Sequence, residues 1–136
     1  MAVPVSDIAS QAMATTLVNN TDELLATLIG ATTSVTFGPF YNPKSVLRLA
    51  VNVSAITAGS LTVTLLGYDN SSGATWTILA STALAATGLV RLEVGPWIVA
   101  SANAIAQDYA PAFYEVQCTI ATGPVSATIG AHGLGG

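Results

Sequence analysis

A period of two runs through most of this chain. Leu47, Leu49, Val51, Val53 and Ala55 alternate with Arg48, Ala50, Asn52 and Ser54. After the turn residues Thr57-Ala58-Gly59-Ser60, the pattern resumes with Leu61, Val63 and Leu65 against Thr62 and Thr64. Trp76, Ile78 and Ala80 stand against Thr75, Thr77 and Ser81, and Val90, Leu92 and Val94 against Arg91 and Glu93. Tyr114, Val116, Cys118 and Ile120 alternate with Glu115, Gln117 and Thr119, then Val125, Ala127 and Ile129 with Ser126 and Thr128. A shorter run sets Val35 and Phe37 against Ser34 and Thr36. Successive side chains of a strand point to opposite faces, so each run offers one face to a core and one to the outside. The alternation predicts about seven strands, with an eighth over residues 22–29. By this reading Trp76 shares the inward face with Ile78.

Turn chemistry separates the runs. Asp69-Asn70-Ser71-Ser72-Gly73 and Ala121-Thr122-Gly123-Pro124 supply the residue types that tolerate positive φ or bond their own backbone. Short strands at regular spacing, joined by such turns, predict an all-β antiparallel sandwich, jelly-roll or Greek-key-like, rather than a parallel α/β sheet. The domain is expected over residues 21–131. Before it, residues 1–20 form an irregular N-terminal arm or a short helix over 8–17, with Ser6 or Asp7 as N-cap. After it, residues 132–136 read as a flexible Gly-rich tail. Residues 101–108 read as a helical turn or a loop.

There is also an internal echo. Val35-Thr36-Phe37-Gly38-Pro39-Phe40 is matched by Leu92-Glu93-Val94-Gly95-Pro96-Trp97. In each case a strand leads to Gly-Pro and an aromatic, then an irregular segment, a proline (Pro43; Pro111) and a hairpin. Two such halves suit a double Greek key, although similar β topology alone produces the same pattern.

Composition excludes several functions. Charged residues are 7% of the 136 and hydrophobic ones 51%, where an ordinary domain carries roughly 25% charged. No run of about 20 apolar residues exists to span a membrane. Neither a signal peptide nor a membrane segment is expected, and synthesis falls in the cytoplasm. Three permanent cations, Lys44, Arg48 and Arg91, cannot neutralise enough phosphates for nucleic-acid binding. The apolar excess is then best explained by contact with other protein.

No chemistry-bearing constellation emerges. The one histidine, His132, lies in the Gly-rich tail and reads as solvated. Cys118, the single cysteine, shares a face with Val116 and Ile120 and reads as a small buried hydrophobe. The seven acids, Asp7, Asp22, Glu23, Asp69, Glu93, Asp108 and Glu115, are dispersed. Glu93 is expected in an ion pair, either with Arg91 or across strands. The 69–73 loop lacks the carboxylates and closing acid of a calcium loop. No catalytic, cofactor-binding or metal-binding residue is therefore expected, and no enzyme. Tyr68 and Trp76 flank the 69–73 turn, and Trp97 follows Gly95-Pro96. Loop-end aromatics of this kind suit either a sugar site or, more simply, core and interface packing.

The run Ser45-Val46-Leu47-Arg48-Leu49-Ala50-Val51-Asn52-Val53, then Leu61-Thr62-Val63-Thr64-Leu65-Leu66-Gly67-Tyr68-Asp69, Ser72-Gly73, Trp76 and Leu92-Glu93-Val94-Gly95-Pro96 resembles small β-sandwich virion proteins of tailed bacteriophages. The resemblance is to head decoration (cement) proteins in particular and covers residues 35–129. It implies a non-enzymatic protein on the capsid surface of a virion. Its partners would be the major capsid protein and further copies of itself, with a homotrimer favoured, and it would stabilise the shell. The same texture occurs in minor tail or head-fibre components, and a carbohydrate-binding β-sandwich is the alternative from another class. The arm is expected to lie on the capsid protein or a sister subunit.

Overall fold

The computed structural model describes residues 22–134. The expected arm or helix over 1–20 lies outside the described residues. Nine strands succeed one another: β1 (Asp22–Ala31), β2 (Val35–Tyr41), β3 (Val46–Ile56), β4 (Ser60–Tyr68), β5 (Thr75–Ala80), β6 (Gly88–Gly95), β7 (Ile105–Gln107), β8 (Phe113–Ala121) and β9 (Val125–Leu134). No helix forms among the described residues, and so none there is long and apolar enough to cross a membrane.

The strands form two sheets, ordered β1-β9-β3-β6-β7 and β2-β8-β4-β5. All pairings are antiparallel except β6 with the short β7. Leaving β7 aside, this is the strand order of a jelly roll, in which two Greek keys are divided between facing sheets. The internal echo lands on equivalent places in that plan. Exchanging β1, β2, β3 and β4 for β5, β6, β8 and β9 converts the order 1-9-3-6 into 5-4-8-2, which is the other sheet reversed. The two Gly-Pro-aromatic segments thus fall at the equivalent strands β2 and β6, and the two hairpins are β3-β4 and β8-β9.

The inward rows meet in one core. From the larger sheet come Leu47, Leu49, Val51, Leu92, Val94, Val125 and Ile129; from the smaller come Leu61, Val63, Leu65, Tyr114, Val116 and Cys118. All of these are fully buried. Cross-strand register stacks them: Leu49 lies between Ala131 and Leu92, and Val116 pairs with Leu65. Each buried Leu or Val side chain contributes about 1.5–3 kcal/mol of transfer free energy. The polar partners of the alternation, such as Asn52, Thr119 and Thr128, lie on the outside.

Four local expectations are corrected. The chain does not fray at Ala131. β9 continues to Leu134, with His132 paired to Arg48 and Asp22, and Gly133 to Leu47. β3 pairs with this backbone as far as Leu134 and β1 as far as His132, which outweighs the flexibility of a Gly-rich composition. Residues 101–108 hold a turn and then β7, because β6 offers an open edge that residues 105–107 pair with in parallel. Trp76 is not core. A bulge between Leu65 and Leu66 leaves Ile78 unpaired, so Leu79 becomes the buried residue of β5 and Trp76 is 50% exposed. Ser81, expected outside, is buried; its hydroxyl accepts from the Val63 N–H and donates to the Thr82 carbonyl.

Candidate functional site

The groups that carry chemistry are kept apart by the fold. The Cys118 thiol sits at the centre of β8 facing Val63 and Val35, and burial pushes its pKa up to about 12. At neutral pH it is therefore a packed thiol and not a nucleophile. Tyr114 is buried beside Phe40, ring centroids 5.4 Å apart. Its hydroxyl has no hydrogen-bond partner among the described residues. Burial, and secondarily the Glu23 carboxylate, raises its pKa above the usual phenol value. Glu23 is itself raised by partial burial. Among the described residues, no group of three or more His, Cys, Asp or Glu is placed to hold a metal ion.

Three surface regions remain. The first is the outer face of the five-stranded sheet. Here Arg48 donates from Nε to Oε2 of Glu93 across the β3–β6 pair, at 2.5 Å. Of the two partners expected for Glu93, the cross-strand one is found, because residues directly opposite approach more closely than residues two apart on one strand. His132 lies opposite Arg48 on β9, half-buried in a sheet rather than solvated in a tail. A shallow concavity of about 570 Å³ has Gly130 and Ala50 at its floor and Arg48, Arg91, Leu89 and His132 around it. Glu23 also lines it, and Arg48 is paired with Glu93, so charges of both signs meet here.

The second region is the connection from β6 to β8, residues 96–112, which contains β7. Trp97 is 71% exposed, Val99 82% and Tyr109 69%. Asp108 is the single charged residue in this stretch, and its carboxylate accepts from the Tyr109 N–H at 2.8 Å. The segment is tied to the sheets at its far end, where the Asp108 and Ala110 N–H groups donate to the carbonyls of Gly95 and Ser45. Three large apolar side chains are thus held in water on an anchored backbone.

The third is the end of the four-stranded sheet around the 69–73 hairpin. Tyr68 ends β4, Trp76 is the second residue of β5 and Phe113 opens β8, so antiparallel pairing gathers all three at one end of the sheet. Together with the 69–71 backbone turn and Pro111-Ala112 they line an open concavity of about 680 Å³. Tyr41 adds a fourth ring, 5.4 Å from Phe113. The turn is pre-built. Asp69 Oδ1 accepts from the Ser71 N–H and hydroxyl, Oδ2 accepts from the Ser72 hydroxyl, and the Gly73 N–H donates to the Asp69 carbonyl. These bonds hold the Asp69 carboxyl below the usual range, chiefly through Ser72 and then Ser71. Tyr68 and Trp76 are brought together as their flanking positions imply. Phe113 and Tyr41 join them only through strand pairing, and the visible sign of it is an aromatic at the start or end of each neighbouring strand.

Comparison of the chain with protein-family models, with curated proteins and with solved structures gave no match. The class of this protein, a jelly-roll β-sandwich, accordingly rests on its strand order and its core.

Proposed function

We propose that this chain is a non-enzymatic structural protein of a virion, a capsid decoration (cement) protein that binds the outer surface of a phage head and stabilises it. Its partners in this reading are the major capsid protein and other copies of itself, as a trimer. The observation that carries the reading is the 96–112 connection: Trp97, Val99 and Tyr109 stand exposed on a stretch with one charge. Trp and Tyr are the side chains that most often dominate protein interfaces. A chain with 7% charged residues also loses little on docking, since dehydrated charges are the expensive ones. Many copies on one lattice add avidity to a modest single contact. The virion resemblance of residues 35–129 supplies the partner.

The test is co-sedimentation with emptied, expanded phage heads, followed by thermal disruption of the shells. The unaltered chain is expected to bind and to delay disruption. A Trp97→Ala, Val99→Ser, Tyr109→Ala variant is expected to remain folded and unbound. Equal occupancy by the variant and the unaltered chain would remove this surface from the proposal.

A further inference from the structure

We infer that the aromatic end of the four-stranded sheet is a binding site for an uncharged saccharide. This stands apart from the capsid reading, since its rings and turn come from the 68–76 hairpin and Phe113, and the 96–112 connection gives it only Pro111 and Ala112, not the exposed Trp97, Val99 and Tyr109. Three features of the site support it.

The first is the seating of Trp76. A Cβ built on Gly67 would fall 2.2 Å from the indole atoms Cε2 and Cζ2. The ring therefore lies directly on the Gly67 backbone and needs a glycine beneath it. Yet Trp76 remains 50% exposed. An indole with one side seated on a sheet and the rest in water is a platform, fixed before any ligand arrives. The apolar C–H face of a pyranose ring stacks on such a surface, while its hydroxyls need polar groups at the rim.

The second feature is that those polar groups are present. Asn70 and Ser71 lie at the turn beside the rings, lining the same concavity. Among the described residues the Asn70 amide and the Trp76 indole N–H make no hydrogen bond, so a donor-acceptor group and a donor are open to sugar hydroxyls. Asp69 locks the turn through Ser71 and Ser72, so ordering this loop costs little on binding. At about 680 Å³ the concavity is of ligand-site size.

The third feature is charge. Asp69 is the one ionisable acid lining the concavity, and Arg and Lys are missing from its lining. Serine hydrogen bonds keep that carboxyl ionised. A uronic or sialic acid would meet a negative charge with no cation to offset it. A neutral oligosaccharide would meet three aromatic side chains, Trp76, Tyr68 and Phe113, at one sheet end.

The experiment is an NMR titration of the full chain with three neutral probes, maltohexaose, cellohexaose and chitohexaose, and with one acidic probe, a hexagalacturonate. At least one neutral probe is expected to shift the Trp76 indole N–H resonance with a millimolar or tighter Kd, leaving Trp97 unmoved. The hexagalacturonate is expected to bind about tenfold more weakly or not at all. Trp76→Ala and Asn70→Ala should each weaken binding by about tenfold. Asn70→Ala guards against a folding defect in the tryptophan variant, because Asn70 is exposed and its side chain bonds nothing among the described residues. The proposal is overturned if none of the three neutral probes moves Trp76. It is equally overturned if the hexagalacturonate binds best, or if Asn70→Ala and Trp76→Ala leave the affinity unchanged.

Discussion

The two Gly-Pro-aromatic segments begin alike and end in opposite environments. In 35–40, Gly38 and Pro39 lie inside β2, at the bulge where β8 passes from Tyr114 to Val116. Gly38 has φ +119°, and a Cβ there would press on the Tyr114 carbonyl at 3.0 Å. Only glycine suits both that dihedral and that approach. Phe40 then turns inward and packs on Tyr114. In 92–97, Gly95 closes β6 and Trp97 stands in water, 71% exposed. Both sequences place an aromatic after Gly-Pro, but only the second ends its strand there, since β2 runs on to Tyr41. What that aromatic touches depends on whether a neighbouring strand continues past the Gly-Pro. β8 continues past Phe40; past Trp97 the chain leaves the sheet for the 96–112 connection.

That contrast gives graded expectations. Phe40→Ala should cost about 2–4 kcal/mol of unfolding free energy, read by urea denaturation, because the Tyr114 ring loses its packing partner. A cost under about 1 kcal/mol would mean the two aromatics are more alike than their surroundings imply. Cys118 probes the same interior by pH. Its folded pKa is raised to about 12 from 9.0, so the neutral thiol is the native form. Its contribution is whole below pH 9 and is lost as the unfolded thiol ionises first, at about 1.4 kcal/mol per pH unit between pH 9 and pH 12. A denaturation series comparing the unaltered chain with Cys118→Ala should show a shallower alkaline decline in the variant.

Smaller effects belong to the outside. The Arg48–Glu93 pair is partly exposed, so a double-mutant cycle should return a coupling of about 0.5–1 kcal/mol that fades in high salt. A salt-insensitive coupling would indicate a drier sheet face than the structure has. Smallest of all, Trp97→Ala should change stability by no more than about 0.5 kcal/mol, in direct opposition to Phe40.

Much of this architecture is legible in the sequence because alternation is a local property. The inward sets of β4, β8 and β9 are the residues the period picks out, as is that of β3 as far as Val53, beyond which a bulge against β9 leaves Ala55 outside and Ile56 against the core; the 69–73 and 121–124 turns fall where Asp, Asn, Gly and Pro cluster. The departures share one cause. Counting twos from Ile78 puts Trp76 inside, and a bulge opposite Leu65-Leu66 resets the count. His132 and Gly133 look like tail by composition, yet the backbone pairing of β9 with β1 and β3 holds this stretch in the sheet. Residues 105–107 have no strand pattern of their own and are strand because β6 has an unfilled edge. The aromatic end is half visible, as Tyr68 and Trp76 around one turn; Phe113 and Tyr41 arrive from strands distant in sequence.

The amino-acid order alone determined that this chain forms short strands with one apolar face, where those strands turn, and that its surface carries little charge. Those properties depend on neighbours one or two residues apart and on composition. The tertiary structure alone decided the strand order, the bulges that set which aromatics are buried, and the meeting of Arg48 with Glu93 and of Trp76 with Gly67 and Phe113. These depend on which edge pairs with which, a choice made by the summed packing of two whole sheets and by no single segment.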